Sequence, residues 1–573
     1  PQQGIDFLPN FRRGDMVYLY AYKKNEEPDV RKSILFKGSL QEIHTSSIVV
    51  HLNDGQQNPN LIAGECFALE HAGSDIGGTS AIRSLYTFIT SDVERRQLLL
   101  GQRAPRADKS LVLSRSYHPD YDEIILKAKQ AQDYFLLIGP PGTGKTSQAL
   151  QYLVREQLAE KPKVQSTKPN DQSPMVNGQS SILLLAYTNR AVDEICNMLS
   201  EHELDYIRIG NEYSCDPKYS DHLLQEVLDE NTTLNSIKST LAEAQIIVAT
   251  TSTMNSRSAL FNIKHFDLVI IDEASQILEP NIVGILTARQ EEGRTIDRFI
   301  LVGDHKQLPA VVQQQGEADV EETSSVLENI HLSSCANSLF ERLILTERAA
   351  GRTDFIGTLH KQGRMHPDIA DFANRKFYAK EQLECVPLAH QLETELSYNE
   401  ESEDALDNTL KAHRMIFIPS MPCKQLNISE KVNTDEARII ADLLRRLFRQ
   451  MNKDFDPQKS VGVIVPYRNQ IAMIRKEIER LEIPALEGIS IDTVERYQGS
   501  QRDVILYSFT IQSRYQLDFL TANTFYEEGQ PIDRKLNVAI TRARKQLILT
   551  GNESTLRQNQ LFEELIDYIK EKG

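Results

Sequence analysis

Gly139-Pro140-Pro141-Gly142-Thr143-Gly144-Lys145-Thr146 decides the reading of this 573-residue chain. It follows an apolar run, Tyr134-Phe135-Leu136-Leu137-Ile138, that reads as a buried strand, and a helical pattern from Ser147 to Leu153 comes after it. Strand, GxxxxGK[ST] and helix in that order make a phosphate-binding loop. The glycines let the backbone curl so that successive N–H groups face a polyphosphate, and the helix N-terminus adds partial positive charge. Lys145 is placed to reach the β- and γ-phosphates, and the Thr146 hydroxyl suits Mg²⁺. The stretch implies a protein that binds a nucleoside triphosphate.

Working outward, the length suggests three or four domains, each able to bury a core. A hydrophobic content of 40% and a charged content of 25% are those of a globular protein. No apolar stretch approaches the ~20 residues that span a bilayer, so no membrane partner is expected. The start, Pro1-Gln2-Gln3-Gly4, has neither an apolar signal core nor an initiator Met, as a piece of a longer protein would. The six cysteines (Cys66, Cys196, Cys215, Cys335, Cys385 and Cys423) form no CxxC pair. That argues against a zinc module or disulfide framework and fits a reducing, cytoplasmic setting, nucleoid-associated in a bacterium and not excluding a nucleus. The net charge of −17 does not exclude nucleic acid, because binding depends on local grooves. Much of the acid is segregated at 317–322 and 393–407, read as solvated loops, whereas Arg534 to Lys545 contains no acid.

Residues 1 to about 105 read as β-rich, with runs at Met16–Tyr20, Ile34–Phe36, Ser47–Leu52 and Glu65–Leu69 separated by turns such as Asn53-Asp54-Gly55. So many strands in a short span suggest a small barrel, followed by a helix over Ser91–Leu100. From about 115, strands alternate with helices, which implies parallel sheets. The polar, proline-containing segment Lys161–Ser180 reads as a loop, and 211–244 as a helical insertion. A second alternating unit after about 350 lacks a phosphate loop. The expected domains are 1–110, 111–348 and 349–573, with nucleotide between the last two.

The strand Leu268–Ile271 ends in Asp272-Glu273-Ala274-Ser275. A carboxylate at that strand end is where Mg²⁺ is held opposite a phosphate loop. Asp272 is expected to hold the metal through water, and Glu273 to orient or deprotonate the attacking water. His360 and His366 lack the accompanying ligand spacing of a metal site and are read as core or capping residues.

The order of motifs is distinctive: GPPGTGKT, DEAS, GDHKQLP (303–309), QGRMHP (362–367), VPYRNQ (465–470), TVERYQGSQRD (493–503) and LNVAITRAR (536–544). This set resembles superfamily 1 helicases, in the 5′→3′ branch that includes the nonsense-mediated-decay RNA helicase and the Okazaki-flap nuclease-helicase. Phe11 to Val17 is similar to the start of that branch's accessory barrel. The resemblance implies an α/β fold of two RecA-like parallel-sheet domains in tandem with a small N-terminal β-barrel accessory domain. It also implies that Gln307 senses the γ-phosphate, and that Arg364 and Arg542 act as arginine fingers from the second domain. A planar guanidinium suits phosphate oxygens and keeps its proton. Thr188, Asn189, Arg190, Thr250, Thr251, Tyr467, Arg468 and Thr493 match positions that lie along nucleic acid in the family.

Three departures stand out. Gly363 occupies the place of an aromatic that stacks on adenine. Tyr121 and Asp122 fall near the adenine-reading glutamine, with Tyr121 as a candidate replacement ring. Gln501, two residues after Gly499, replaces the glutamate of QGxE and is expected to keep its hydrogen bond to ribose. The expectation is ATP and Mg²⁺ use with weak discrimination against other purine triphosphates. The leading function is a 5′→3′ translocase that unwinds duplex at single-strand junctions, DNA more than RNA. The alternatives are a translocase that remodels protein–nucleic-acid complexes, and a nucleotide-gated binding module. Protein partners and any additional N-terminal domain are left open.

Overall fold

The computed structural model describes residues 11, 14–43, 47–52, 66–72, 76–160, 180–228, 233–290, 293–312, 325–396, 398, 403–423 and 429–572. The expected turn at 53–55, the acidic cluster at 317–322 and nearly all of the loop at 161–180 lie outside them.

Two parallel sheets carry the chain. The first has seven strands in the order Ile356–Thr358, Tyr134–Ile138, Ile296–Gly303, Phe266–Asp272, Ile182–Ala186, Ile246–Thr250 and Ile207–Ile209. Tyr134–Ile138, Ile182–Ala186 and Ile246–Thr250 are buried at every residue, as β-branched and leucine-rich runs must be when helices cover both faces. The second sheet has five, in the order Met415–Pro419, Ala543–Gly551, Arg502–Ser508, Val461–Val465 and Ser490–Thr493. Its two faces bury separate apolar clusters, one including Met365, Phe372 and Leu536, the other Ile440, Leu444 and Ile474. Fully burying each such side chain contributes about 1.5–3 kcal/mol. The long helix Thr434–Met451 starts where Asn433 accepts from the N–H groups of Asp435 and Glu436.

Two boundaries differ from expectation. The strand Ile356–Thr358 lies beyond the expected limit at 348 yet pairs with the phosphate-loop strand, Leu136 opposite Ile356. Three residues are too short a run to show as a strand in the sequence. Among its described residues, the insertion at 211–244 contains the α-helices Leu224–Val227 and Leu234–Glu243 and the 3-10 turns Glu212–Ser214 and Pro217–His222.

Near the N-terminus, strands Ile48–Leu52, Phe36–Ile43, Met16–Tyr22 and Cys66–His71 form an antiparallel sheet in that order. Its two outer strands do not pair with each other among the described residues. Ile34 and Leu35 precede the strand they were expected to form. The helix Ile76–Thr90 then leans on the first lobe, where the Gly284 N–H donates to Ser84 Oγ at 2.8 Å. A Cβ on Gly284 would stand 2.6 Å from the Ser84 Cα. The six cysteines are free thiols, and no described helix is long and apolar enough to cross a membrane.

Candidate nucleotide and strand-binding site

The strand ends of the first sheet assemble one wall. Tyr134–Ile138 delivers Gly139, whose N–H donates to Gly303 O at 2.9 Å on the neighbouring strand. A Cβ at Gly139 would collide with the Lys145 methylenes, which fold back across the loop. Gly142 and Gly144 take φ of 76° and 71°, the left-handed region that suits glycine. Thr143 braces the turn by donating from Oγ1 to Pro140 O at 2.8 Å, with Pro141 between them. The N–H groups of Gln148 and Ala149 both bond Gly144 O at 2.9 Å, giving a widened first helical turn after the loop.

Opposite the loop, Thr146 Oγ1 donates to Asp272 Oδ2 at 2.7 Å. Asp272 is 3% exposed; burial pushes its carboxyl up, and the charge of Glu273 adds to that. A hydroxyl and a buried carboxylate form a hard-oxygen donor pair that fits Mg²⁺. Glu273 sits at φ 52°, uncommon for a residue with a side chain. Its Oε1 lies 3.5 Å from Lys145 Nζ, and its Oε2 accepts from Gln276 Nε2 at 3.0 Å. The sequence did not single out Gln276.

The second lobe supplies the facing wall. Arg542 is 1% exposed, and its Nη2 donates to Gln307 Oε1 at 3.0 Å across the interface. Burial depresses its guanidinium to about 9, with Arg364 pushing the same way, so it is charged at neutral pH. Gln307 in turn donates from Nε2 to Asp304 Oδ2 at 2.9 Å. That oxygen also accepts from Tyr378 Oη of the second lobe at 2.7 Å. Arg364 reaches the seam by backbone: the Gly363 N–H donates to Gly142 O at 2.8 Å, and a Cβ on Gly142 would stand 2.5 Å from the Arg364 Cβ. The Arg364 side chain donates from Nε to Gln501 Oε1 at 3.0 Å.

Gln501 is therefore engaged with Arg364, a use the ribose expectation did not include. Gly499, at φ 83°, approaches the first lobe; a Cβ there would lie 3.0 Å from Glu194 Oε1. Tyr121, the candidate replacement ring, lies at the phosphate loop. Its ring is buried edge-on to Tyr152 and His118, and its Oη donates to Thr143 O at 2.9 Å, beneath the loop. Its hydroxyl braces the loop.

A second tie between the lobes was not legible from motifs. Lys306 is buried and donates from Nζ to Glu381 Oε2 at 2.9 Å and lies 2.8 Å from Glu527 Oε2. Asn537 Nδ2 donates to Lys306 O at 2.7 Å, and Arg534 Nε to His305 O at 2.9 Å. Taking such charges out of water is costly unless they are paired, as these are. The signal was present as charged residues flanking apolar strands, but nothing in the order of residues names their partners.

The strand-binding candidates divide. Thr188 and Thr250 cap helices, accepting from the N–H groups of Ala191 and Thr253 at 3.2 and 3.1 Å. Asn189 and Arg190 open the first of these helices, and Arg190 Nη1 donates to Arg496 O at 3.4 Å across the lobes. Arg468 opens the helix after Val461–Val465, and Thr493 ends the adjacent strand of the second sheet. Thr251 is 2% exposed, and the Tyr467 ring is buried under Phe519, with centroids 5.7 Å apart. Neither offers an open side chain: Thr251 packs in the first turn of its helix, and Phe519 covers Tyr467. His366 caps a helix by accepting from Asp368 N–H at 3.2 Å, and His360 bonds Glu381 O.

Two family models, both described as AAA domains, match the chain, one over residues 119–240 and 230–315 and the other over 335–554. The DNA replication ATP-dependent helicase/nuclease JHS1 of Arabidopsis thaliana is 28% identical over 85% of this chain and 33% of its own length. The DNA replication ATP-dependent helicase/nuclease DNA2 of Xenopus laevis is 29% identical over 82% of this chain and 41% of its own. The chain thus spans between a third and two fifths of the length of these relatives. Among solved structures, an Arterivirus nonstructural protein 10 (helicase) overlays 96% of this chain and 74% of its own at 14% identity and a TM-score of 0.36, too loose an overlay to carry argument.

Proposed function

We propose that this chain, a relative of the superfamily 1 helicases of the DNA2 type, is a nucleic-acid-stimulated ATPase that moves 5′→3′ on single-stranded DNA and unwinds duplex ahead of it. The observation that carries this reading is the contact of Arg542 with Gln307 across the seam, on the wall facing Lys145 and Glu273. A binding switch needs a phosphate loop; it does not need a general base on one lobe and a buried guanidinium from the other. The printed names of the relatives favour DNA over RNA.

In this reading Gly139 to Thr146 cradle ATP, and Thr146 and Asp272 would hold Mg²⁺, which would neutralise phosphate charge. Glu273 orients the attacking water and accepts its proton, while Lys145, Arg364 and Arg542 stabilise charge on the transferring phosphoryl group. Gln307 couples that group to the seam. Gripping of a phosphate backbone falls to Thr188, Asn189, Arg190, Thr250, Arg468 and Thr493. Because the two lobes hold the nucleotide jointly, occupancy favours closure and hydrolysis reopens it, and alternating grip on the strand gives a step. Residues 1–110 make up the accessory domain, and its four-stranded antiparallel sheet belongs to a small barrel. Residues 111–348 with Ile356–Thr358 form the first RecA-like domain, and the remainder the second.

Phosphate release measured with and without single-stranded DNA tests this reading. Stimulation by DNA that is lost in Glu273→Gln supports it; a release rate indifferent to DNA contradicts it. Displacement of a strand from a duplex with only a 5′ tail tests the polarity.

A further inference from the structure

The helix Arg514–Leu520 was absorbed by none of the motifs, and it displays two aromatic rings at i and i+4. Tyr515 is 79% exposed and Phe519 is 45% exposed. Neighbouring exposed rings on one helical face are a feature of interaction sites. Phe519 is anchored: it stacks on Tyr467 at 5.7 Å with 19° between ring planes, and Lys535 Nζ lies 4.7 Å from its centroid. Tyr515, one turn earlier, stands beside this stack.

The location narrows the occupant. Tyr467 and Arg468 follow the strand Val461–Val465, Thr493 ends Ser490–Thr493, and this helix follows Arg502–Ser508. These are three adjacent strands of one parallel sheet, and ligands of such sheets bind beyond their carboxyl ends. The same edge carries the cations Arg468, Arg514 and Lys535, against Asp518 and Glu495, the latter 3.5 Å from Lys535. Rings interleaved with cations fit a single strand, where bases stack on π-faces and phosphates meet positive charge. An apolar protein segment would gain nothing from Arg468 and Arg514, whereas Lys535 is already paired with Glu495.

We propose that Tyr515, supported by the Phe519–Tyr467 stack, is a base-stacking subsite for one nucleotide of single-stranded nucleic acid, on the second lobe. This deepens the strand-binding function proposed above and rests on it. Stacking is indifferent to base identity, so the subsite grips without reading sequence, and its release on lobe movement would set the register of a step.

The test is equilibrium binding of the full chain to a fluorescent oligothymidine and to the same oligomer with abasic sites throughout. Tyr515→Ala weakens oligothymidine binding by about fivefold or more, Tyr515→Phe retains it, and the abasic oligomer binds parent and Ala variant alike. The salt dependence of binding keeps its slope, since no phosphate contact is removed. Basal phosphate release without nucleic acid is unchanged in the Ala variant, which shows that it folds. Equal oligothymidine affinity in parent and Tyr515→Ala, or an equal loss on the abasic strand, overturns the subsite while leaving strand binding standing. Loss of self-association in the Ala variant, with strand affinity intact, assigns the rings to a protein contact and also overturns it. A parent chain that binds neither oligomer overturns strand binding itself.

Discussion

Arg542 Nη2 and Gln307 Oε1 meet at 3.0 Å, one from each lobe, with both side chains buried. The pair joins a helix end of the second sheet to the loop after Ile296–Gly303 in the first. Gln307 also reaches Asp304, and Asp304 reaches Tyr378, so the contact belongs to a chain of hydrogen bonds running between the lobes. Members of such a chain act as a unit.

The two side chains should therefore be coupled in catalysis. Gln307→Ala lowers kcat on its own, but in an Arg542→Ala background it adds little further loss. The double-mutant cycle on single-turnover phosphate release is expected to give a coupling of about 0.5–3 kcal/mol. Strict additivity would mean that the contact is not used.

Metal dependence follows from the Thr146–Asp272 pair. If Asp272 holds Mg²⁺ through water, Asp272→Asn raises the Mg²⁺ concentration needed for half-maximal turnover by about 10–100-fold. Metal-free nucleotide binding should be unchanged or slightly tighter, because a buried charge near the phosphates has been removed. A Mg²⁺ titration of turnover, alongside nucleotide binding in chelator, reads both.

Tyr121 offers a discrimination between bracing and base stacking. With its Oη on Thr143 O, Tyr121→Phe loses one buried hydrogen bond and about 1 kcal/mol of stability. It should also weaken every nucleoside triphosphate to a similar extent. A stacking role would leave the Phe variant neutral and make an Ala variant selectively poor with purines. With no aromatic at Gly363 and Gln501 turned to Arg364, a nucleotide panel is expected to show GTP turnover within about tenfold of ATP, the loss of one adenine contact amounting to roughly 1–1.5 kcal/mol.

Acid sensitivity is expected at Asp133, beneath the phosphate-loop strand. Burial alone would raise its carboxyl, but the hydrogen bonds from Arg106 and Arg103, at 2.7 and 3.1 Å, hold it down at about 2. A carboxyl depressed by folding stabilises the native state above its ordinary range, near pH 4, and that stabilisation is lost as pH falls towards 2. Thermal midpoints between pH 5 and pH 2 should drop less steeply in Asp133→Asn than in the parent, although the variant starts lower.

Most of the sheet architecture could be read in advance because parallel strands buried on both faces must be short apolar runs, and Tyr134–Ile138 or Val461–Val465 admit few other readings. The phosphate loop and the Asp272-Glu273 pair were legible because their chemistry is local in sequence. Long-range partners were not. Nothing in the spacing says that Gln501 accepts from Arg364, that Lys306 is buried between Glu381 and Glu527, or that Phe519 covers Tyr467. The weak strand Ile356–Thr358 is fixed by its pairing with Tyr134–Ile138 rather than by its own residues, so the domain limit drawn at 348 fell short. The expectation for Tyr121 came from its position in the order of motifs, which does not show that its hydroxyl has a partner in Thr143.

The central claim, that two lobes act on one triphosphate, is tested most directly by single-turnover phosphate release in Arg542→Ala, with nucleotide affinity measured on the same protein. The account predicts affinity within a few-fold of the parent and a turnover lower by about 10³-fold or more. A variant that hydrolyses ATP within about tenfold of the parent rate, a difference of only ~1.4 kcal/mol in barrier, would contradict it.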